Sequence, residues 1–287
     1  MGLFPGQGLE PAVVLSALPE HHPLLKQAAQ SLGFDLRRRV ERITRHSQPL
    51  LPTDLAQPAI FVAGVIAFRD AEQRGGSFDF LVGHSLGEYT ALVAVGAIPF
   101  SHGLRLVSAR GAAMKKAAAQ TDGGMAAVMG LPVEQVEALC AAVGATFAND
   151  NSPSQAVVSG SGTALDRAAP WVRSRGGRTV LLPIDGAYHS EAMTSAEASL
   201  AIALERTDVR SPKIPIVSNV TARPYRSPGE IRKLLLTQLT HKVRFRGSIE
   251  WLTERGATEF VDLGPGRVVG RLARASIPRY EEAAAHA

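Results

Sequence analysis

The sequence predicts an α/β fold: an α/β-hydrolase-like large subdomain carrying an inserted, smaller ferredoxin-like α+β subdomain. Three observations carry this expectation. Strand-like and helix-like stretches alternate along the 287 residues, as they do when a sheet is wrapped by helices. Gly83-His84-Ser85-Leu86-Gly87-Glu88 stands between the apolar run Phe78-Asp79-Phe80-Leu81-Val82 and the apolar stretch Tyr89 to Val95, which reads as strand, sharp turn, helix. Five turn-prone residues, Gln120-Thr121-Asp122-Gly123-Gly124, then mark a break beyond which the texture changes.

Taken in order, the first strand is short, because only Gly2-Leu3-Phe4 precede the turn Pro5-Gly6-Gln7-Gly8. Helical patterns cover Glu10 to Ala17, Pro23 to Ser31 and Leu36 to Thr44. A longer one runs from about Leu55 to Glu72, where Ile60, Ala63, Val65 and Ile66 form an apolar stripe that predicts a buried helix. The elbow follows, then a helix from about Ser101 to Ala119. Past the break, Met125 to Met129 reads as strand, Pro132 to Val143 as helix, Ala145 to Ala148 and Gln155 to Gly160 as strands. Thr163 to Arg173 is a helix with Pro170 as a kink, and Arg178 to Leu182 a last strand. That β-α-β-β-α-β order is the ferredoxin-like arrangement. The reading therefore assigns residues 1–120 and 185–287 to the large catalytic subdomain and 121–184 to the insert. After Asp185 come the strand Ile214 to Ser218, helices Pro228 to Leu239 and Ser248 to Arg255, and the strand Glu259 to Leu263 before Gly264-Pro265-Gly266. The Ala- and Glu-rich tail from Tyr280 to Ala287 is expected to fray.

Composition excludes several classes. Hydrophobic residues make up 45% and charged residues 20%, as in an ordinary soluble globular protein. No apolar run approaches the ~20 residues of a membrane span, and Met1 to Pro5 lack a signal-peptide layout, so the expected location is the cytoplasm. The single cysteine, Cys140, can form no internal disulfide and reads as a small core residue. Thirty-one Lys and Arg against 26 Asp and Glu leave a net charge of +5, which suits an acidic partner or a phosphate-bearing substrate as well as a mildly basic solvated surface. Basic clusters are scattered and lack interleaved aromatics, which argues against nucleic acid. The dispersed histidines show no metal-ligand spacing, so no metal is expected.

The elbow carries the chemistry. A Gly-x-Ser-x-Gly turn holds its serine in a strained backbone above the strand ends, at the N-terminus of the next helix, where free N–H groups can stabilise an oxyanion. Ser85 is thus the candidate nucleophile, and it needs a base. His189, in Ile184-Asp185-Gly186-Ala187-Tyr188-His189-Ser190, is the best candidate, against a purely structural histidine in a loop; His84 is adjacent to the serine and points away. Arg110 falls inside the apolar flank of its helix, between Leu106 and Met114. A guanidinium there is costly to bury unless it meets an anion, either a substrate group or a structural carboxylate.

Several motifs together resemble the malonyl-CoA:acyl carrier protein transacylase family, including freestanding, trans-acting acyltransferases of polyketide and fatty acid synthases. They are Phe4-Pro5-Gly6-Gln7-Gly8, the elbow, Arg110-Gly111, Asn151-Ser152-Pro153-Ser154-Gln155, Gly186-Ala187-Tyr188-His189-Ser190, Ser218-Asn219-Val220-Thr221, Gln238-Leu239 and Gly264-Pro265-Gly266. The resemblance implies a Ser85–His189 dyad, backbone N–H groups of Gln7 and Leu86 as the oxyanion hole, and the Gln238 carbonyl orienting the histidine in place of an Asp. It further implies that Arg110 pairs with the free carboxylate of malonyl, that Asn151 faces the channel, and that aromatic Tyr188 crowds out an α-methyl branch. The implied substrates are an acyl-CoA and the phosphopantetheine thiol of an acyl carrier protein, with no further cofactor, and nothing requires more than a monomer.

Three departures from the family pattern stand out: Asp185 near His189, Lys242-Val243-Arg244-Phe245 in place of a commoner Pro-Val-Arg-Trp, and Leu9-Glu10 after Gly8. Competing readings are an acyl hydrolase that releases chains from carrier proteins, a transferase for an unusual non-malonyl acyl group, and a carrier-docking scaffold with a decayed site. Arg110 argues against the hydrolase, and the full set of Ser85, His189, Gln7 and Gln238 argues against the scaffold.

Overall fold

The computed structural model describes residues 1–184 and 186–277. It is a mixed α/β protein with two separate sheets. The first strand, β1 (Gly2–Phe4), leads into helices α1 (Pro11–Ser16), α2 (Pro23–Leu32), α3 (Leu36–Arg45) and α4 (Thr53–Gln73). Strand β2 (Leu81–Gly83) then meets α5 (Leu86–Ala94), followed by α6 (Phe100–Ala118). The next block is β3 (Gly123–Met129), α7 (Val133–Val143), β4 (Thr146–Ser152), β5 (Gln155–Ser161), α8 (Gly162–Arg173) and β6 (Arg178–Leu181). A short 3₁₀ turn and α9 (Thr194–Glu205) return the chain to the first sheet through β7 (Ile216–Val217), α10 (Pro228–Thr237), α11 (Phe245–Thr253), β8 (Val261–Asp262) and α12 (Val268–Ser276).

The first sheet is parallel, in the order β7-β2-β1-β8. Phe4 of β1 stands opposite Gly83 of β2, and Val82 opposite Val217 of β7. Parallel neighbours end at the same edge, so the loops after β1, β2 and β7 lie side by side there. They carry Gln7, Ser85 and Asn219, at the strand ends where open α/β sheets place their ligands. The second sheet is antiparallel, in the order β4-β5-β3-β6, with α7 and α8 packed on it. Its connectivity is the ferredoxin-like one the sequence predicts.

The stripe on α4 proves to be part of a helix that is apolar on nearly all sides and buried over most of its length, as a core helix must be. It packs with α5 and α6 inside the main core, which includes Phe4, Phe61, Phe68, Leu92 and Leu104. The strand expected over Phe78 to Val82 is displaced to Leu81–Gly83. Phe78 and Phe80 are taken up by rings instead, against Phe68 and Trp251 respectively. Helix α12, which the sequence reading lacks, packs its Val269, Leu272 and Ala273 into a second core cluster with Leu3 and Val82. The expected Tyr280 to Ala287 tail and Asp185 lie outside the described residues.

The departure Lys242 to Phe245 joins the two sheets. Val243 N–H donates to Ala148 O at 2.8 Å and Asp150 N–H to Val243 O at 2.9 Å, an isolated parallel bridge on the free edge of β4. Arg246, just beyond, clasps Asp150 with Nε and Nη2 on its two oxygens at 2.9 and 3.1 Å. Both side chains are largely shielded from solvent, at 22% and 12% exposure, so the forked pair escapes most of the screening that weakens surface ion pairs. Arg246→Ala strands the Asp150 carboxylate and is expected to lower the unfolding free energy by about 2 kcal/mol, measured by urea unfolding. A change of a few tenths would show that the clasp is ornamental.

Candidate active site

Ser85 has φ 51° and ψ −105°, outside the ordinary regions for a residue with a Cβ, and it immediately precedes the first residue of α5. Its neighbours must be glycines for steric reasons. A Cβ on Gly83 would stand 1.9 Å from Glu88 N, and one on Gly87 would stand 2.2 Å from Phe4 O. Both obstacles are backbone and cannot turn aside. Asn219 holds the turn from the β7 side: its Oδ1 accepts from Ser85 N–H at 2.7 Å and its Nδ2 donates to Gly83 O at 2.6 Å.

Ser85 Oγ lies 2.9 Å from His189 Nε2, and His189 Nδ1 lies 2.8 Å from the backbone oxygen of Gln238. A carbonyl can only accept, so Nδ1 carries the ring hydrogen and Nε2 is left to accept the serine proton. The imidazole is thereby held in the tautomer of a general base without a carboxylate. Burial pushes its pKa down to about 3, and the positive charge of Arg110 adds to the fall. His189 is consequently neutral at neutral pH. Acylation of Ser85 is expected to show no acid limb near 6.5, the usual histidine value, when adduct formation is followed from about pH 5 to about pH 7; a limb at 6.5 would contradict the assignment. An unfolded chain protonates this histidine near 6.5 while the native site refuses the proton. Its contribution to native stability is therefore full above about 6.5 and is lost as pH falls toward 3.

Arg110 is 1% exposed and reaches the same centre. Its Nη2 donates to Ser85 Oγ and to Gln238 Oε1, both at 3.0 Å, and its Nη1 to Gln57 Oε1 at 2.8 Å. Every direct partner is uncharged. Its Nε has no acceptor among the described residues, which leaves a buried cationic donor unspent beside the Ser85 hydroxyl. Such a donor is what an incoming carboxylate oxygen requires.

Leu86, as the first helical residue of α5, has an N–H with no intrahelical acceptor. Gln7 flanks it on the neighbouring loop, its side chain fixed by the Thr53 hydroxyl at 2.6 Å. Gln7, Ser85, His189 and Asn151 line one cavity, closed on the far side by Asn149 of β4 and Val269 of α12. Register shifts in β4 around Asn149 and Asp150 mark a bulged strand, the usual device for re-aiming side chains. Asn151 Oδ1 lies 2.8 Å from His84 Nε2, and the half-buried His84 ring packs on Phe245. Tyr188 is buried beside Arg110 but lines a smaller adjoining cavity with Gln7, Thr53 and Ile184.

The structure thus brings Ser85, His189, Gln238 and Arg110 into one hydrogen-bonded cluster, with Gln7 and Asn151 lining the same cavity and Leu86 following Ser85 as the first residue of α5. Sequence reasoning missed Gln57, Glu88 and Tyr225 and gave Asn219 no task. Gln57 carried a readable signal, a polar residue within the buried stretch of α4, the same anomaly that singles out Arg110.

A serine raised on a strained strand-to-helix turn, with a neutral histidine on its hydroxyl, defines an enzyme that takes an acyl group on serine. Residues 10–283 match the family model described as the acyl transferase domain, and the chain belongs to that family. It is 38% identical over 274 residues to the polyketide biosynthesis malonyl CoA-acyl carrier protein transacylase BaeC of Bacillus velezensis, covering 93% of each chain. It is also 38% identical over 283 residues to the polyketide biosynthesis protein ThaF of Burkholderia thailandensis, where 96% of this chain spans 24% of that one. Among solved structures, a malonyl-transacylase in complex with a type II polyketide synthase acyl-carrier protein superposes with TM-score 0.88 at 32% identity, over 96% of this chain and 92% of that one.

Proposed function

We propose that the enzyme carries a malonyl-type acyl group from CoA, by way of an ester on Ser85, to the phosphopantetheine thiol of an acyl carrier protein. The observation that carries this reading is Arg110: a buried guanidinium, hydrogen-bonded to the nucleophile and holding a free Nε–H, selects acyl groups that end in a carboxylate. His189 takes the Ser85 proton as the hydroxyl attacks the thioester, and the resulting oxyanion falls to the Leu86 and Gln7 N–H groups. As the tetrahedral intermediate collapses, CoA leaves as its thiol with the proton from His189. The carrier thiol then repeats the sequence in reverse. The names of the relatives support malonyl and a carrier protein as the two substrates. In this reading residues 121–184 are an inserted lobe walling the channel through Asn151, and Tyr188 crowds the acyl pocket against branched chains. It takes the enzyme to work as a cytoplasmic monomer without metal or cofactor. No helix among the described residues is long and apolar enough to cross a membrane.

The test is intact-protein mass spectrometry after mixing with malonyl-CoA, followed by addition of a phosphopantetheinylated carrier protein. A malonyl adduct that passes to the carrier is expected, with little free malonate. An adduct released mainly as free acid would favour a hydrolase instead, and adducts formed equally by uncharged acyl-CoAs would remove the selective role of Arg110.

A further inference from the structure

Glu88 closes the elbow motif on the first turn of α5 and is wholly buried, yet the Ser-His chemistry makes no use of it. Its carboxyl group gathers donors from four residues, Tyr225, Asn219, Gln238 and the Ser218 side chain. The Tyr225 hydroxyl and the Asn219 N–H, the latter at 3.3 Å, reach Oε1, and Gln238 Nε2 reaches Oε2 at 2.5 Å. Converging donors suit an ionised carboxylate. Burial opposes that charge and lifts the pKa to about 7. Near neutral pH the group stands between its two forms.

The cation of the same cluster is Arg110, and Gln238 stands between them. Gln238 Oε1 accepts from Arg110 Nη2 at 3.0 Å while its Nε2 donates to Glu88. The amide dipole is therefore aligned from the guanidinium to the carboxylate. The Glu88 charge in turn favours the ionised guanidinium against its burial. Tyr89 and Tyr225 are both held protonated by burial and carry no charge; His189, on the far side of Arg110, is neutral with its pKa down to about 3, and Tyr188 also lies against the guanidinium.

We propose that Glu88 is the resident counter-charge of Arg110, relayed through the Gln238 amide, and that it takes up a proton when a carboxylated acyl group docks on Arg110. The inference rests on the reading of Arg110 as the partner of the malonyl carboxylate. Before docking, one cation and one anion share the buried cluster. A second carboxylate leaves one cation between two anions, the circumstance in which one carboxyl group is driven to its neutral form. The proton comes from solvent, and the Tyr225 hydroxyl, which also bonds the Ser218 side chain, can turn its hydrogen to Ser218 so that its oxygen accepts the new O–H. When the acyl group departs on the carrier thiol, the proton returns to solvent. Glu88 is thus a positioning residue: it holds Gln238, and through it Arg110 and His189, without touching substrate.

Above the Glu88 pKa a proton must be taken up for each malonyl group bound, so malonyl capture weakens as pH rises. The rate of Ser85 acylation at limiting malonyl-CoA is expected to fall up to tenfold per pH unit above about 7. In Glu88→Gln the fall disappears, and in Glu88→Asp it persists. A Glu88→Gln profile lying below the wild-type one but parallel to it overturns the proposal, since a merely structural loss moves the rate and not the shape. Should Glu88→Gln not fold, Ser85→Ala titrated with malonyl-CoA near pH 8, in two buffers of different ionisation enthalpy, must take up close to one proton per malonyl group. Zero uptake overturns the proposal. An adduct that forms at a rate independent of pH overturns this inference alone, whereas a wild-type enzyme that forms no malonyl adduct at any pH overturns the transfer reading as well.

Discussion

Replacing Ser85 by alanine is expected to slow malonyl transfer by about six orders of magnitude, to the level that binding and the oxyanion donors sustain by themselves. The expectation follows from the geometry of one atom. Ser85 Oγ gives its proton to His189 Nε2 and accepts from Arg110 Nη2. Since nucleophile and base act as a unit, His189→Ala should cost a comparable factor and the double variant little more. Single-turnover transfer from labelled malonyl-CoA to a carrier protein measures all three. Losses that multiply in the double variant would mean that the two residues serve separate steps.

The second large effect is expected from Arg110→Ala: about a thousandfold loss in kcat/KM for malonyl, roughly 4 kcal/mol, the scale of a buried charged hydrogen-bonding partner removed. Acetyl-CoA, with no carboxylate to place, should be loaded faster than by the wild-type enzyme. Lysine should restore little, because a point charge on a flexible stem cannot replace a fork held at once by Gln57, Ser85 and Gln238. The variant also relieves His189 of a neighbouring positive charge, so its pKa should rise from about 3. A rate measured at one pH would mix these effects, and competition between malonyl-CoA and acetyl-CoA in one reaction separates them. An unchanged preference would return Arg110 to a structural role.

Both effects involve residues that are legible in the sequence alone, and the reason is local. Ser85 announces itself by glycines whose absent Cβ atoms are demanded by backbone within a few residues or on the adjacent strand. Arg110 announces itself by breaking a helical stripe. The antiparallel lobe was legible because its strands and helices are each long enough to show their periodicity. The strands read over Ile214–Ser218 and Glu259–Leu263 also form, but pairing with β2 and β1 trims them to two residues each, β7 and β8, a limit set by distant partners that local pattern does not carry. Helix α12 was hidden for a related reason: its first residues follow a Gly-Pro-Gly turn without a capping side chain. Glu88 and Asn219 belong to motifs that could be read, but their tasks could not, because their partners arrive from more than 100 residues away. An acid in the first turn of an otherwise apolar elbow helix is the one available hint.

Asn219 has a consequence for how the enzyme comes into being. The backbone of Ser85 is fastened by a side chain that the ribosome adds 134 residues later, and the histidine's acceptor, Gln238, follows still further on. Long-range closures of this kind form late in folding. A nascent chain that already displays Ser85 therefore has no shaped nucleophile to offer a thioester, and acylation begins only once residue 238 has been added and can fold back. Capture of a malonyl group can then serve as a clock for folding: the first labelled chains in a synchronised translation should be those that have released residue 238 from the exit tunnel.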